Sequence, residues 1–339
     1  LRDGPVFFAV PGDPAQPTGG YAYDRRVAAE LRKAGLPVET VRLPDGYPFP
    51  GEAERRAAAA IFRALPDGAP VLVDGLAFGA MPEIAAAERD RLVLVALVHH
   101  PLALETGLAP GESERLAGSE RQALAAARAV LATSHATAAT LTRDFGVPAE
   151  KIAIAVPGTD PGPPARGGHR PPRLVAVGSL VPRKGHDVLI AALDRIRALP
   201  WSCRIAGSPH LAPEWAGGLA AEVRRLGLSG RIALLGACAD ARGLMAQSDI
   251  FVLPSRYEGY GMVFAEALAQ GLPVVACRAG AVPDVVPETA GMLVPPDDPA
   301  ALAAALGRLL GDDALRSRYA AGARAGSRSR PARWRARKG

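Results

Sequence analysis

The chain has 339 residues, 49% of them hydrophobic and 22% charged, with a formal net charge of +6. That length exceeds what most single cores support and predicts two domains of about 150 to 170 residues, while the composition excludes global disorder. The charge suits phosphate-bearing ligands or anionic lipid, but 5% aromatic residues and no recognition motif among the basic residues argue against nucleic acid.

The start, "LRDGPVFFAVPGD", reads as a first strand near 5–10, its apolar run being too short for a leader. Short β-branched or leucine-rich runs then alternate with alanine-rich helical stretches, the pattern of parallel sheets rather than a bundle or sandwich. In the first half, strands are expected near 5–10, 37–43, 70–74, 91–98, 129–133 and 151–156. In "YDRRVAAELRKAG", Val27, Leu31 and nearby alanines share one helix face, charges take the other, and Gly35 is the stop. Between 157 and 173 "PGTDPGPPARGGHRPPR" is neither helix nor central strand, so the chain divides into a domain over 1–160, a linker over 161–172, a second domain over 173–323 and a basic tail over 324–339. The second half repeats the alternation, with strands near 173–178, 202–206, 230–235, 249–253, 272–276 and 291–294. The expected architecture is α/β, two doubly wound domains facing each other across a cleft.

The longest apolar run, "LVLVALV" at 92–98, falls far short of the roughly 18 to 20 residues of a membrane span. Cys203, Cys238 and Cys277 show no CxxC spacing and lie in or beside apolar runs, which predicts buried thiols in a reducing cytoplasm. In the tail, Arg324, Arg328, Arg330, Arg333, Arg335, Arg337 and Lys338 stand without an acidic residue. Peripheral contact with the inner membrane face and a merely solvated end are both open readings of that stretch.

Ligands of open parallel sheets bind at the carboxyl ends of strands, so the loops there hold the candidates. In "VPGDPAQPTGGYAYDRR" a loop ends in Gly19 and Gly20 before a helix, where backbone N–H groups approach a phosphate or sugar; a plain tight turn is the bland alternative. No G-x-G-x-x-G accompanies the pair, which counts against a dinucleotide dehydrogenase. "LVHHPLALETG" places His99 and His100 after the most apolar strand, as sugar-hydroxyl partners or as structural histidines. Neither has sequence neighbours at metal-ligand spacing, so no metal site is expected. "VGSLVPRKGHDVLIAAL" sets Arg183 and Lys184 between a strand and a helix beginning near His186, where two cations neutralise a diphosphate or simply face solvent. In "PSRYEGYGMVFAEALAQGLPVVA", Glu258 lies in a glycine-rich loop and Glu266 four residues into a helix over 262–270, a rise of about 6 Å from Met262. Carboxylates so placed accept hydrogen bonds from sugar hydroxyls at both ends of an elongated ligand; a surface charge and a helix-dipole charge are the alternatives.

Taken in order, "GGYAYDRRVAAELRKAGLPVE", "VPGTD", "VGSLVPRKGHDVLIAAL" and above all the E-x7-E stretch with its trailing "GLPVVA" resemble the retaining glycosyltransferases of family 4, which have the GT-B fold. The resemblance implies that Glu258 binds hydroxyls of the donor sugar, that the backbone of Gly259, Tyr260, Gly261, Met262 and Val263 touches sugar and diphosphate, and that Glu266 holds the nucleotide ribose. Arg183 and Lys184 would stabilise the departing nucleoside diphosphate in place of a metal, with no cofactor beyond the nucleotide-diphosphate-sugar donor. Many members carry arginine where this chain has Ser179, which shifts the load to Arg183. One of His99 and His100 would contact the donor sugar.

The implied reaction is hexosyl transfer to a hydroxyl acceptor, a glycan, lipid or small molecule, with retention. A covalent route needs a carboxylate nucleophile, and the resemblance gives Glu258 another task, so a same-face departure is expected. The alternatives are a GT-B phosphorylase or nucleotide-sugar epimerase and, in another class, a basic membrane- or nucleic-acid-binding protein without catalysis.

Overall fold

The computed structural model describes residues 4–16 and 18–329, and the chain forms two compact units that divide between Pro157 and Gly158. The first contains β1 (Val6–Pro11), α1 (Gly19–Lys33), β2 (Val38–Leu43), α2 (Glu52–Arg63), β3 (Pro70–Asp74), α3 (Gly75–Phe78), α4 (Pro82–Glu88), β4 (Val93–Val98), α5 (Glu112–Ala126), β5 (Ala129–Ala132), α6 (His135–Phe145) and β6 (Ile152–Ile154). Its six strands are parallel, in the order β2-β1-β3-β4-β5-β6. Residues such as Val71, Val73, Ala96 and Val130 are wholly buried, because helices cover both faces of such a sheet and its strands read as continuous apolar runs.

The second unit contains β7 (Arg173–Val177), α7 (His186–Arg195), β8 (Ser202–Ala206), α8 (Pro213–Arg225), β9 (Ile232–Leu234), α9 (Ala241–Ala246), β10 (Ile250–Leu253), α10 (Met262–Ala269), β11 (Val274–Cys277), α11 (Val282–Val285), β12 (Gly291–Val294), α12 (Pro299–Gly311) and α13 (Asp313–Ser329). Its six parallel strands run β12-β11-β10-β7-β8-β9. Each unit is thus a Rossmann-like doubly wound sheet. Strand order reverses between β1 and β3 in one and between β7 and β10 in the other, and ligands favour the carboxyl ends of strands at such a switch point.

Segment 158–172 has neither helix nor strand and is fastened to the second unit. Ala165 N donates to Gln270 O at 2.8 Å, Arg166 N to Ala246 O at 3.0 Å, and Asp249 accepts from His169 N and Arg173 N. Helix α1 starts at Gly19, so Gly19 and Gly20 are its first turn and not the end of a loop. Its buried residues are Tyr23, Asp24 and Ala28, whereas Val27 and Leu31, expected inward, are half-buried. Gly35 does end it, at φ +87°, with Gly35 N on Arg32 O and Leu36 N on Leu31 O, the paired bonds of a Schellman stop.

Cys203 and Cys277 are buried as expected, but Cys238 is exposed, since it lies past the end of β9 and not in a strand. The segment expected as a tail from residue 324 begins inside α13; Arg330, Arg333, Arg335, Arg337, Lys338 and the side chain of Arg328 lie outside the described residues. Among the described residues no helix is long and apolar enough to cross a membrane.

Candidate active site

At the second unit's switch point, the loops after β7 and β10 are locked together. Arg183 and Lys184 close a single 3-10 turn over 182–184, and Gly185, at φ +67°, then opens α7. A side chain at Gly185 would place its Cβ 2.1 Å from Pro254 O, so only glycine lets the two loops approach. Arg256 N donates to Arg183 O at 2.8 Å, and the Arg256 guanidinium donates to Pro182 O and to both oxygens of Asp187. His186 is buried with Nε2 3.2 Å from Gly178 O, and burial pushes its pKa down to about 4, so it is neutral.

Glu258 is 5% exposed and therefore no surface charge. Its Oε1 accepts from Lys184 Nζ and from Ser255 Oγ, each at 2.7 Å, and its Oε2 lies 3.4 Å from Arg183 Nη1. Arg183 Nη1 also donates to Tyr257 O at 3.1 Å. Burial by itself would raise the Glu258 carboxyl, but the Lys184 and Arg183 charges outweigh it and hold the group below the ordinary carboxylate range. The Glu258 backbone is fixed as well: its carbonyl accepts from Ala281 N at 2.9 Å, and a Cβ on Gly280 would sit 2.2 Å from it. Gly259, Tyr260 and Gly261 carry the chain into α10, with Gly261 at φ +84° as N-cap and Met262 and Val263 as the first helical residues. The ring of Phe264 stands edge-on to Phe251 of β10, centroids 5.6 Å apart, and seats that helix start on the strand.

Glu266 is the fifth residue of α10 and pairs with Arg242 Nη2 at 3.5 Å, not with the cations of the Glu258 cluster. Burial raises its pKa, partly offset by Arg242. Arg242 in turn donates to Asp160 O at 3.0 Å. The structure therefore joins Arg183, Lys184 and Glu258 directly and puts Glu266 in α10, the helix that follows the Glu258 loop. Arg242 and Arg256 were not among the expected residues; each is a lone arginine whose partners are 24 and 69 residues away.

The first-unit candidates form a separate group. A Cβ on Gly20 would lie 3.5 Å from the His99 ring, whereas Gly19 faces open space. His99 Nε2 lies 3.0 Å from Asp24 Oδ1 and 3.7 Å from Asp74 Oδ2, and its ring stands edge-on to Tyr23. Burial would lower its pKa, but Asp24 and Asp74 raise it to about 10. His100 Nε2 lies 3.3 Å from Glu105 Oε2. The carboxylates around His99 come from α1 and the end of β3, a grouping that spacing along the chain does not show.

Comparison with known proteins gives the family and the fold. Residues 21–162 match the family described as Glycosyltransferase Family 4, and residues 171–312 match Glycosyl transferases group 1. A D-inositol 3-phosphate glycosyltransferase of Xylanimonas cellulosilytica is 34% identical over 270 residues, covering 72% of this chain and 64% of that protein. The chain thus spans a little under two thirds of such curated relatives. Sucrose-phosphate synthase from Thermosynechococcus elongatus superposes with a TM-score of 0.79 at 21% identity, over 96% of this chain and 94% of that one. Anabaena HepE, in complex with UDP and glucose, gives 0.73 at 22% identity over 95% of each chain. The two Rossmann-like units are those of the GT-B fold. The chain belongs to glycosyltransferase family 4.

Proposed function

We propose that the chain is a retaining glycosyltransferase that moves a hexosyl group from a nucleotide-diphosphate sugar to a hydroxyl acceptor without a metal in the chemical step. The observation that carries this reading is the Arg183–Lys184–Glu258 cluster at the carboxyl ends of β7 and β10, beside the start of α10. Two cations beside a helix start suit a pyrophosphate, whose charge grows as the sugar departs. Solved HepE complexes with UDP and UDP-glucose support a nucleotide-sugar donor.

In this reading Arg183 and Lys184 take the developing negative charge of the leaving diphosphate. Glu258 aligns those cations and accepts hydrogen bonds from hydroxyls of the transferred sugar. With Oε1 bonded to Lys184 and Ser255 and its basicity lowered, it is a poor nucleophile. The bond between anomeric carbon and phosphate oxygen breaks, the acceptor oxygen bonds to the same face, and the acceptor proton passes to the departing phosphate oxygen. Glu266 accepts the ribose hydroxyls.

The test is nucleoside diphosphate release from a panel of nucleotide sugars with hydroxyl acceptors, with the product's anomeric configuration read by NMR. Lys184→Ala should lower kcat by about 10² to 10³ with little change in the acceptor KM. Near-normal turnover in that variant sinks the assignment.

A further inference from the structure

Within the second unit, segment 165–170 and helix α13 flank a groove of about 290 Å³. Ser248 and Asp249 enter it from just before β10, and Leu272 and Pro273 from just before β11, so it lies at the amino ends of these strands. The loops at the opposite, carboxyl ends carry Arg183, Lys184 and Glu258, and the four residues of β10 put about 13 Å of strand between the two places. The α13 wall is one helix face, with Arg316, Ser317, Ala320 and Arg324.

Charge in the groove is one-sided: the four guanidinium groups of Arg166, Arg170, Arg316 and Arg324 line it against the two carboxylates of Asp249 and Asp313, an excess of two positive charges. Both carboxylates already have partners. Asp313 is held between Arg170 and Arg316, and Asp249 accepts from His169 N at 3.1 Å and from Arg173 N at 2.7 Å, with His169 Nδ1 3.0 Å away. The Arg316 side chain, 12% exposed, also donates to Leu310 O at 3.0 Å and is a fixed wall. Gly167 and Gly168 follow one another at φ +62° and +78°, and neither of their N–H groups nor the Arg166 guanidinium has a partner among the described residues. Successive backbone N–H groups bent in this way form concavities that take anions. Helix α13 adds the positive end of its dipole, since it begins at Asp313 in the groove.

A phosphate group matches this donor set, because its oxygens accept from several directions at once and arginine forks bind them in pairs. The volume is at the small end of ligand pockets, which suits one phosphate with a short substituent. We propose that the groove binds the phosphate group of a small phosphate ester or of a lipid headgroup, held by Arg166 and the Gly167 and Gly168 amides against Arg170 and Arg316. The site is separate from the diphosphate site, and the proposal does not depend on the sugar-transfer reading.

The experiment titrates the full chain with glycerol phosphate by calorimetry at fixed ionic strength, and in parallel measures flotation with vesicles of phosphatidate in phosphatidylcholine. Arg166→Gln and Arg170→Gln should each lower the affinity at least tenfold, whereas Arg318→Gln, which removes the same charge from α13 outside the groove, should leave it unchanged. Tungstate soaked into crystals of the wild type should give an anomalous peak between Arg166 and Arg316, a readout independent of how the variants fold. Flotation lost in Arg166→Gln assigns the phosphate to a lipid headgroup; loss of glycerol phosphate with flotation unaffected assigns it to a soluble ester. Binding of neither probe, affinity for both unchanged in the two groove variants, an equal loss in Arg318→Gln, or tungstate only beside Arg183 and Lys184 would each overturn the site.

Discussion

Glu258 and Glu120 are both carboxylates in the interior, and their surroundings drive them in opposite directions. Glu258 meets Lys184 and Arg183, so its folded pKa lies below the ordinary value. It contributes stability above the glutamate range, and that contribution is lost as pH falls through the folded pKa. Glu120, on α5, accepts one hydrogen bond from Leu102 N at 2.9 Å and has no cation beside it among the described residues, and burial raises it to about 8. Between about 4.5 and 8 the folded chain therefore keeps a proton that the unfolded chain releases, and stability falls as pH rises through that window. Glu120→Gln keeps an acceptor for Leu102 N and removes the titration. Denaturant unfolding should show it matching the wild type near pH 4.5 and exceeding it at pH 8. Glu258→Gln should show the converse, a deficit at pH 8 that narrows in acid, because it strips the countercharge from two cations. Parallel pH profiles for the two variants would contradict this assignment.

At the scale of elements, the sheets were legible because parallel strands covered on both faces leave uninterrupted apolar runs, as in "IFVL" of β10 and "VVAC" of β11, each wholly buried. Glycine stops were legible for a related reason: Gly271, at φ +81°, ends α10 with Gly271 N on Leu268 O and Leu272 N on Ala267 O. What periodicity could not show is charge turned inward. Asp24 reads as part of the polar face of α1, yet it is buried against Asp74, at the end of β3, and His99, just past β4. Arg256, for which the sequence suggested no role, ties the turn at 182–184 to the loop after β10. That bracing gives Gly185→Ala a definite expectation. The added carbon meets Pro254 O at 2.1 Å in a left-handed conformation, so the turn must move away from Glu258. Nucleoside diphosphate affinity should fall at least tenfold while the circular dichroism spectrum keeps its helix and strand content; unchanged affinity would mean that the turn does not hold the diphosphate.

On the scale of the molecule, each buried apolar cluster draws on one unit. One cluster gathers residues from Phe7 to Val147, a second from Leu174 to Leu315, and a third, around Phe251 and Phe264, from Val175 to Ala323. The proposed diphosphate site is likewise made within residues 158–329: Arg183, Lys184, Ser255, Glu258 and Glu266, braced by Arg242 and Arg256. A chain of about 180 residues with its own sheet is long enough to bury a stable core. The fragment 158–339 should therefore unfold cooperatively by itself. A ligand at 100 times its dissociation constant stabilises by about 2.7 kcal/mol, so saturating nucleoside diphosphate should raise the fragment's thermal midpoint by several degrees, much as in the full chain. A fragment that folds yet gives no shift with any nucleoside diphosphate would place the diphosphate elsewhere.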